Sequence, residues 1–351
     1  MSERDGISAV ARSAAGGAAE AARTGSSAGD LSGGMLYICP TPLGNLGDIT
    51  QRTLDALGAA DVVCAEDTRV TGKLLAAFGL KKRLERLDEN MMGQRADDIV
   101  ERVLAGQVIA YCSDAGMPGV SDPGLRLVRA ARQAGAPVCV LPGPTAGATA
   151  YVTSGCTDVN FYFGGFLPRK AAEQERLLKS LASLPAALIF YESPNRVVGA
   201  LESIARVFPQ REAAVCRELT KIHEEVVREK APDLYDTFAQ RQRDGGIKGE
   251  IVIVIDGPNE AEEAAREADA QELARARAAE LAAQGMRAKQ ISKQIAAELG
   301  LPRNEAYQIA LDAQKGASLA GAGRADAAGA DTAGAGAAGA DVPAASSPEG
   351  R

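Results

Sequence analysis

Two carboxylates and a guanidinium stand together in Glu66-Asp67-Thr68-Arg69, directly after the short apolar run Val62–Cys64. At a strand end such a group can move a proton or meet a phosphate, and it can equally be a solvated ion pair. Three further polar, glycine-rich segments follow apolar runs in the same way. They are Pro40-Thr41-Pro42-Leu43-Gly44-Asn45-Leu46-Gly47-Asp48, Ser113-Asp114-Ala115-Gly116-Met117-Pro118-Gly119 and Pro142-Gly143-Pro144-Thr145-Ala146-Gly147. Loops of this composition let backbone amides and carbonyls approach a ligand closely. The set of four is more informative than any one member. The first does not make the Gly-x-Gly-x-x-Gly dinucleotide fingerprint, and a proline turn into a helix needs no ligand. Asp122-Pro123 and Ser193-Pro194 read as helix caps, and Thr68 and Thr145 can serve the same purpose. Asp114 has no such duty in the sequence, which makes it a functional candidate.

His223 is the one histidine of the chain. It is a weak candidate for catalysis on its own, and a multi-histidine metal site is excluded; no metal is expected. The cysteines, Cys39, Cys64, Cys112, Cys139, Cys156 and Cys216, form no Cys-x-x-Cys pair, and four of them lie in or at the end of apolar runs. They read as buried thiols, a pattern suited to a reducing cytosol and a cytoplasmic protein.

The elements that must position these segments alternate. Leu36–Cys39, Val62–Cys64, Val108–Cys112 and Val138–Leu141 are strand-like, with helical patterns near 50–58, 69–78, 96–105 and 123–134. This order predicts an α/β fold with a mostly parallel sheet, whose ligands collect outside the carboxyl ends of the strands. A second set follows, with strands at Phe161–Phe163, Ala187–Tyr191, Ala213–Cys216 and Glu250–Ile255 and helices near 170–182, 195–207 and 233–243. The predicted organisation is an α/β domain over 35–153, a second over 154–258 and a helical module over 261–315. Residues 1–34 and 316–351, rich in Ala and Gly and without hydrophobic periodicity, are expected to be disordered extensions. With 46% hydrophobic and 24% charged residues, the chain has the composition of an ordinary globular protein. No apolar run approaches the ~20 residues that span a bilayer, and no secretory signal opens the chain. The net charge of −7 argues against nonspecific coating of nucleic acid but leaves room for local basic sites.

The ordered motifs from Leu36-Tyr37-Ile38-Cys39-Pro40-Thr41-Pro42-Leu43-Gly44-Asn45-Leu46-Gly47 resemble the ribosomal RNA small subunit methyltransferase I family, a branch of the tetrapyrrole methylase superfamily. Ala65–Arg69, Ser113–Gly116, Ser121–Gly124, Leu141–Pro144, Gly164–Pro168, Phe190–Pro194 and Arg217–Lys221 match in the same order. The resemblance covers about residues 35–256, and 285–314 resembles the family's small carboxyl-terminal module.

It implies two α/β domains of the tetrapyrrole methylase type with S-adenosylmethionine in the cleft between them, and a homodimer. The implied reaction is 2′-O-methylation of a cytidine ribose in the decoding region of 16S rRNA, within the small ribosomal subunit. By position in the motifs, Pro42, Leu43, Gly44, Ser113, Asp114, Ala115, Met117, Thr145 and Ala146 contact the donor, with Tyr191, Leu219 and Gly249 approaching from the second domain. Glu66, Asp67, Glu192 and Glu218 are the candidate bases, Asp67 favoured, with Asn45 or Lys221 orienting the hydroxyl. Arg69, Arg196, Arg217 and Lys221 are the expected phosphate contacts, with Arg169 and Lys170 near the rim. Two positions depart from the pattern: Met117 stands where many relatives carry Thr, and Leu87–Met91 lacks the imidazoles often found there. The alternatives are a porphyrin-precursor C-methyltransferase, which the Pro-Thr-Pro-Leu-Gly-Asn loop argues against, and a noncatalytic RNA- or ribosome-binding protein.

Overall fold

The computed structural model describes residues 33–330. The first sheet takes its strands from β1 (Met35–Ile38), β2 (Val62–Ala65), β3 (Arg83–Arg86), β4 (Val108–Cys112) and β5 (Val138–Val140). All pairings are parallel, in the order β3-β2-β4-β1-β5. The crossovers are α1 (Gln51–Ala59), α2 (Thr68–Ala77), α3 (Glu89–Leu104) and α4 (Gly124–Gln133). A parallel sheet is covered on both faces, so its strands are apolar throughout. In β2, Val62 and Cys64 face the core that α3 and α4 complete with Ile99, Val103 and Leu127. Val63 faces the other way, towards Leu57 of α1 and Leu75 of α2.

Side-chain caps set three helix starts. The Thr50 hydroxyl accepts from Thr53 N–H, Asp67 from Arg69 N–H and Asp88 from Met91 N–H. Asp67 is therefore the cap that Thr68 was expected to be. Thr145 stands at the N-cap position of α5 (Ala146–Thr153) without using its hydroxyl. Asp122 accepts from the N–H groups of Gly119 and Gly124, at 2.7 and 2.8 Å, and so closes its loop onto α4. Ser193 offers its carbonyl, not its hydroxyl, to Arg196 and Val197.

The second sheet comprises β6 (Phe161–Phe166), β7 (Ala187–Glu192), β8 (Glu212–Arg217), β9 (Glu225–Lys230) and β10 (Ile251–Ile255), in the order β6-β7-β10-β8-β9. Only β6 and β7 are parallel; β10 lies antiparallel between β7 and β8. Its Ile251, Ile253 and Ile255 pack under α6 (Ala171–Leu181), α7 (Val197–Val207) and α8 (Ala231–Asp244). Val252 and Val254 turn to the opposite face, where they share a core with Ala150 of α5 and with Leu219. The described chain from 33 through Pro258 is one compact unit.

The second unit holds α9 (Glu260–Ala283), α10 (Ala288–Leu299) and α11 (Arg303–Ala330), packed on Ala278, Leu281, Ile291, Ile295 and Ile309. The last helix corrects the expected start of a disordered tail at 316. The segment is dominated by alanine, the strongest helix former, so it continues as helix without an amphipathic face. Residues 1–32 and 331–351, the rest of the two expected extensions, lie outside the described residues. The helix expected at 96–105 begins seven residues earlier, at the Asp88 cap. No helix among the described residues is long and apolar enough to cross a membrane.

Candidate active site

The carboxyl ends of β1, β4 and β5 open onto one cavity of about 380 Å³, closed on its far side by the ends of β7, β8 and β10. Eight of the twelve residues expected to hold a donor lie in its wall: Leu43, Ala115, Met117, Thr145, Ala146, Tyr191, Leu219 and Gly249. The walls are mainly apolar, with Thr145, Glu192, Ser193 and Glu250 as polar points. That combination suits a small organic ligand.

Backbone exchange fixes the mouth. Thr41 and Gly116 trade N–H···O bonds of 2.9 and 3.0 Å, joining the loop after β1 to the loop after β4. Gly116 has φ +76°, and a Cβ there would stand 3.1 Å from Leu43 Cδ2. Gly249 has φ +97°, and a Cβ would come within 2.5 Å of Glu218 Cγ. Both glycines therefore carry wall that no other residue can carry without displacement. Gly147 N–H donates to the Tyr191 hydroxyl at 3.2 Å, tying the start of α5 to β7.

The other four expected donor contacts are set back. Ser113 is buried, and its carbonyl accepts from Thr41 Oγ1 at 3.2 Å. Pro42 adjoins the wall without lining it. Gly44 lies beneath Lys221, whose Cγ is 2.3 Å from where a Cβ would be. Asp114 accepts from Asp67 N–H at 3.0 Å, which ties it to the end of β2.

The candidate bases separate by environment. Asp67 is clamped by Arg69, with Nη2 to Oδ2 at 2.6 Å, and it caps α2; the guanidinium holds its carboxyl well below the usual range. Glu218 is lowered by Lys221, whose Nζ lies 2.8 Å away, and by the N–H of Glu250. Glu192 is buried, and this burial raises its pKa against the opposing effects of Ser193 N–H and Arg196. Glu66 is half-buried and raised, first by burial and then by the charges of Asp114 and Asp122. Asp67, the favoured base from sequence, is thus the least basic of the four: its partner Arg69 stands only two residues away, at the start of the helix that Asp67 caps.

Asn45 accepts from Gly47 N–H and caps a short 3-10 turn, Leu46–Asp48. Lys221 bridges Glu218 and Glu250 at the cavity wall; burial works against its charge, and the two carboxylates restore it. Of the expected phosphate contacts, Arg69 is open, its side chain 86% exposed. Arg196 is engaged inside the fold by the carbonyls of Leu167 and Pro168 and by Glu192. Arg217 is held by Glu225 and by the carbonyl of Lys248. The wall also contains Val120, Phe166, Cys216, Ile251 and Val252, which the sequence did not single out. Cys216 and Val252 read as strand core. Phe166, within Gly164–Pro168, was the one available signal.

A group of Cys156, Asp158 and Asp256 has spacing that could hold a metal ion, but its members already serve one another. Cys156 donates to Asp158, and Arg228 neutralises Asp256.

The tetrapyrrole (corrin/porphyrin) methylase family matches residues 35–235. The chain is 40% identical over 287 residues to the ribosomal RNA small subunit methyltransferase I of Escherichia coli O157:H7, covering 81% of this chain and 97% of that protein. It is 38% identical over 313 residues to the protein of the same name from Micromonospora olivasterospora, covering 88% and 97%. Among solved structures, the methyltransferase CobJ shares the fold with a TM-score of 0.50 at 19% identity, over 65% of this chain and all of that one. The chain belongs to the tetrapyrrole methylases and, within them, to the ribosomal RNA small subunit methyltransferase I family.

Proposed function

We propose that this protein methylates the 2′-oxygen of a cytidine ribose in the decoding region of 16S rRNA. As a member of its family it is an S-adenosylmethionine-dependent rRNA methyltransferase. The observation that carries the finer reading is the single cavity shared by both sheets, with a row of charged strand ends continuing past it along β4 and β2. Leu43, Ala115, Met117, Thr145, Ala146, Tyr191, Leu219 and Gly249 would hold the donor. When bound, the donor supplies an electrophilic methyl group on a sulfonium. The chain's own residues supply position, since holding two reactants together contributes up to roughly 7–11 kcal/mol of the barrier.

The acceptor belongs on the β4–β2 side, where Glu66, Asp67, Asp114 and Arg69 stand outside the cavity. Arg69 is the proposed phosphate contact there. We propose further that the enzyme acts on the assembled small subunit in the cytoplasm and works as a homodimer. Val152 and Val159, 77% and 91% exposed, and the half-exposed Phe161 are the apolar side chains we assign to contact with the second copy.

The test is label transfer. With labelled S-adenosylmethionine, label is expected in the 16S rRNA of small subunits, at a cytidine ribose by nuclease mapping. Label in a tetrapyrrole, or in neither substrate, would overturn the proposal.

A further inference from the structure

We propose that Glu66 is the catalytic base of this site: its carboxylate takes the proton of the acceptor ribose hydroxyl as the methyl group is transferred. The assignment rests on the methyl-transfer reading above and adds the group that makes the acceptor a nucleophile.

Position comes first. Glu66 follows β2, the strand beside β4, and its N–H donates to the carbonyl of Cys112 at the end of β4. The N–H of Asp67 donates to Asp114 Oδ1 at 3.0 Å, so the end of β2 is tied to the loop after β4 a second time. These two bonds hold the Glu66-Asp67 segment beside Asp114, the residue that immediately precedes the cavity wall at Ala115. An acceptor lying along the strand ends meets Glu66 next to the donor cavity.

Environment comes second. Asp67 and Glu218 each have a cation within ion-pair distance, and among the described residues Glu66 has none. The charges acting on it are Asp114 and Asp122 from the loop after β4 and Asp88 from the end of β3. Beneath them lies Tyr111, fully buried on β4, whose hydroxyl finds no hydrogen-bond partner among the described residues and feels Asp122, Glu66 and Asp114. Burial and like charge raise the basicity of Glu66, whereas Arg69 and Lys221 lower that of their partners. A carboxylate so placed is a better proton acceptor than one held by a cation.

The step balances. A lone pair on the ribose oxygen forms the bond to the methyl carbon, the carbon–sulfur bond breaks with its pair left on sulfur, and the hydroxyl proton passes to Glu66. The thioether product is neutral, and solvent then takes the proton.

The experiment compares wild type, Glu66→Gln, Glu66→Asp and Asp122→Asn in single-turnover methyl transfer to small subunits across pH. Calorimetry of donor binding and carbon-13 NMR titration of glutamate carboxyls in donor-free protein accompany it. Gln keeps the size and shape of the Glu66 side chain, and Asn can still accept from Gly119 and Gly124, so the loops are kept. Glu66→Gln is expected to lose about 10²–10⁴-fold in rate, to lose the acid limb of the profile and to keep its donor affinity. Glu66→Asp should restore part of the rate. Asp122→Asn should move both the acid limb and the NMR-detected Glu66 titration to lower pH, because a like charge is gone.

Wild-type rate and profile in Glu66→Gln would overturn the proposal. So would an NMR titration of Glu66 at or below the ordinary carboxylate range. Donor binding without any methyl transfer by wild-type protein would remove the underlying reading, and the assignment with it.

Discussion

The backbone N–H of Asp67 donates to Asp114 Oδ1 across 47 residues of sequence, and this one bond separates the roles of two adjacent acids. The Asp67 carboxylate is held by Arg69 at the start of α2, while Glu66 has no cation partner among the described residues. Two acids that look equivalent in sequence therefore have different partners.

Asp67→Asn should therefore be mild. Asn caps helices about as well as Asp, so the cap persists while the clamp on Arg69 is lost. Methyl transfer is expected to fall less than about tenfold, far short of a lost base, with donor affinity unchanged by calorimetry. The Asp67 carboxyl is depressed, so its contribution to stability is present above the unfolded-state pKa of about 3.9 and is lost as pH falls through the folded value. Melting of Asp67→Asn and wild type should converge below that range. A 10²-fold or larger loss of rate at neutral pH would return Asp67 to the chemistry.

Glu66 has the opposite sign. Its folded pKa is raised, so the folded state binds this proton more tightly than the unfolded state does. The charged carboxylate then opposes folding. The penalty is absent below the unfolded pKa of about 4.3, grows as pH rises towards the folded value and is full above it. Glu66→Gln should melt higher than wild type near pH 7.5, with the difference gone near pH 4. An active-site group that costs stability is a common trade. A variant that melts lower than wild type at both pH values would contradict the sign.

The fold was legible wherever a strand is buried on both faces, because such strands are short apolar runs. The two that escaped are β3, Arg-Leu-Glu-Arg, and β9, Glu-Val-Val-Arg-Glu-Lys, and each is the edge of its sheet. Edge strands carry charge against further pairing, which removes the apolar signal. In the site, the loops of the first sheet were legible from their glycines and prolines, and eight expected donor contacts reach the wall. The wall residues from β8 and β10, Cys216 and Val252, look like any core position. The order of basicity among Glu66, Asp67, Glu192 and Glu218 depends on partners brought from other strands, so local sequence could not set it.

Gly249→Ala tests the wall itself. With φ +97°, the site tolerates a Cβ poorly, and the added atom would meet Glu218 at 2.5 Å. Glu218 is itself left-handed at φ 52° and is bonded to Lys221 and to Glu250 N–H, so it has little freedom to yield. The strain is about 1–3 kcal/mol. Calorimetry should show donor affinity falling at least about tenfold, since part of that strain is taken up by moving Leu219 and Gly249 of the wall. Unchanged donor affinity would mean that this corner of the cavity is not where the donor sits.

Arg69 and Arg196 should separate in the salt dependence of RNA binding. Arg69 is 86% exposed at the proposed acceptor edge even while paired with Asp67, so replacing it removes a solvent-facing phosphate contact. Arg69→Ala is expected to weaken binding of small-subunit RNA and to reduce the slope of log K against log salt by about 0.7. Arg196 donates to the carbonyls of Leu167 and Pro168 and to Glu192, whose side chain is wholly buried. Removing it leaves a buried carboxylate short of a partner, at a cost of about 1–3 kcal/mol. Arg196→Ala should therefore lower the melting temperature by several degrees and leave the salt slope of its folded fraction unchanged. A reduced slope in Arg196→Ala together with a normal slope in Arg69→Ala would place the phosphate path on the second sheet and not along β2 and β4.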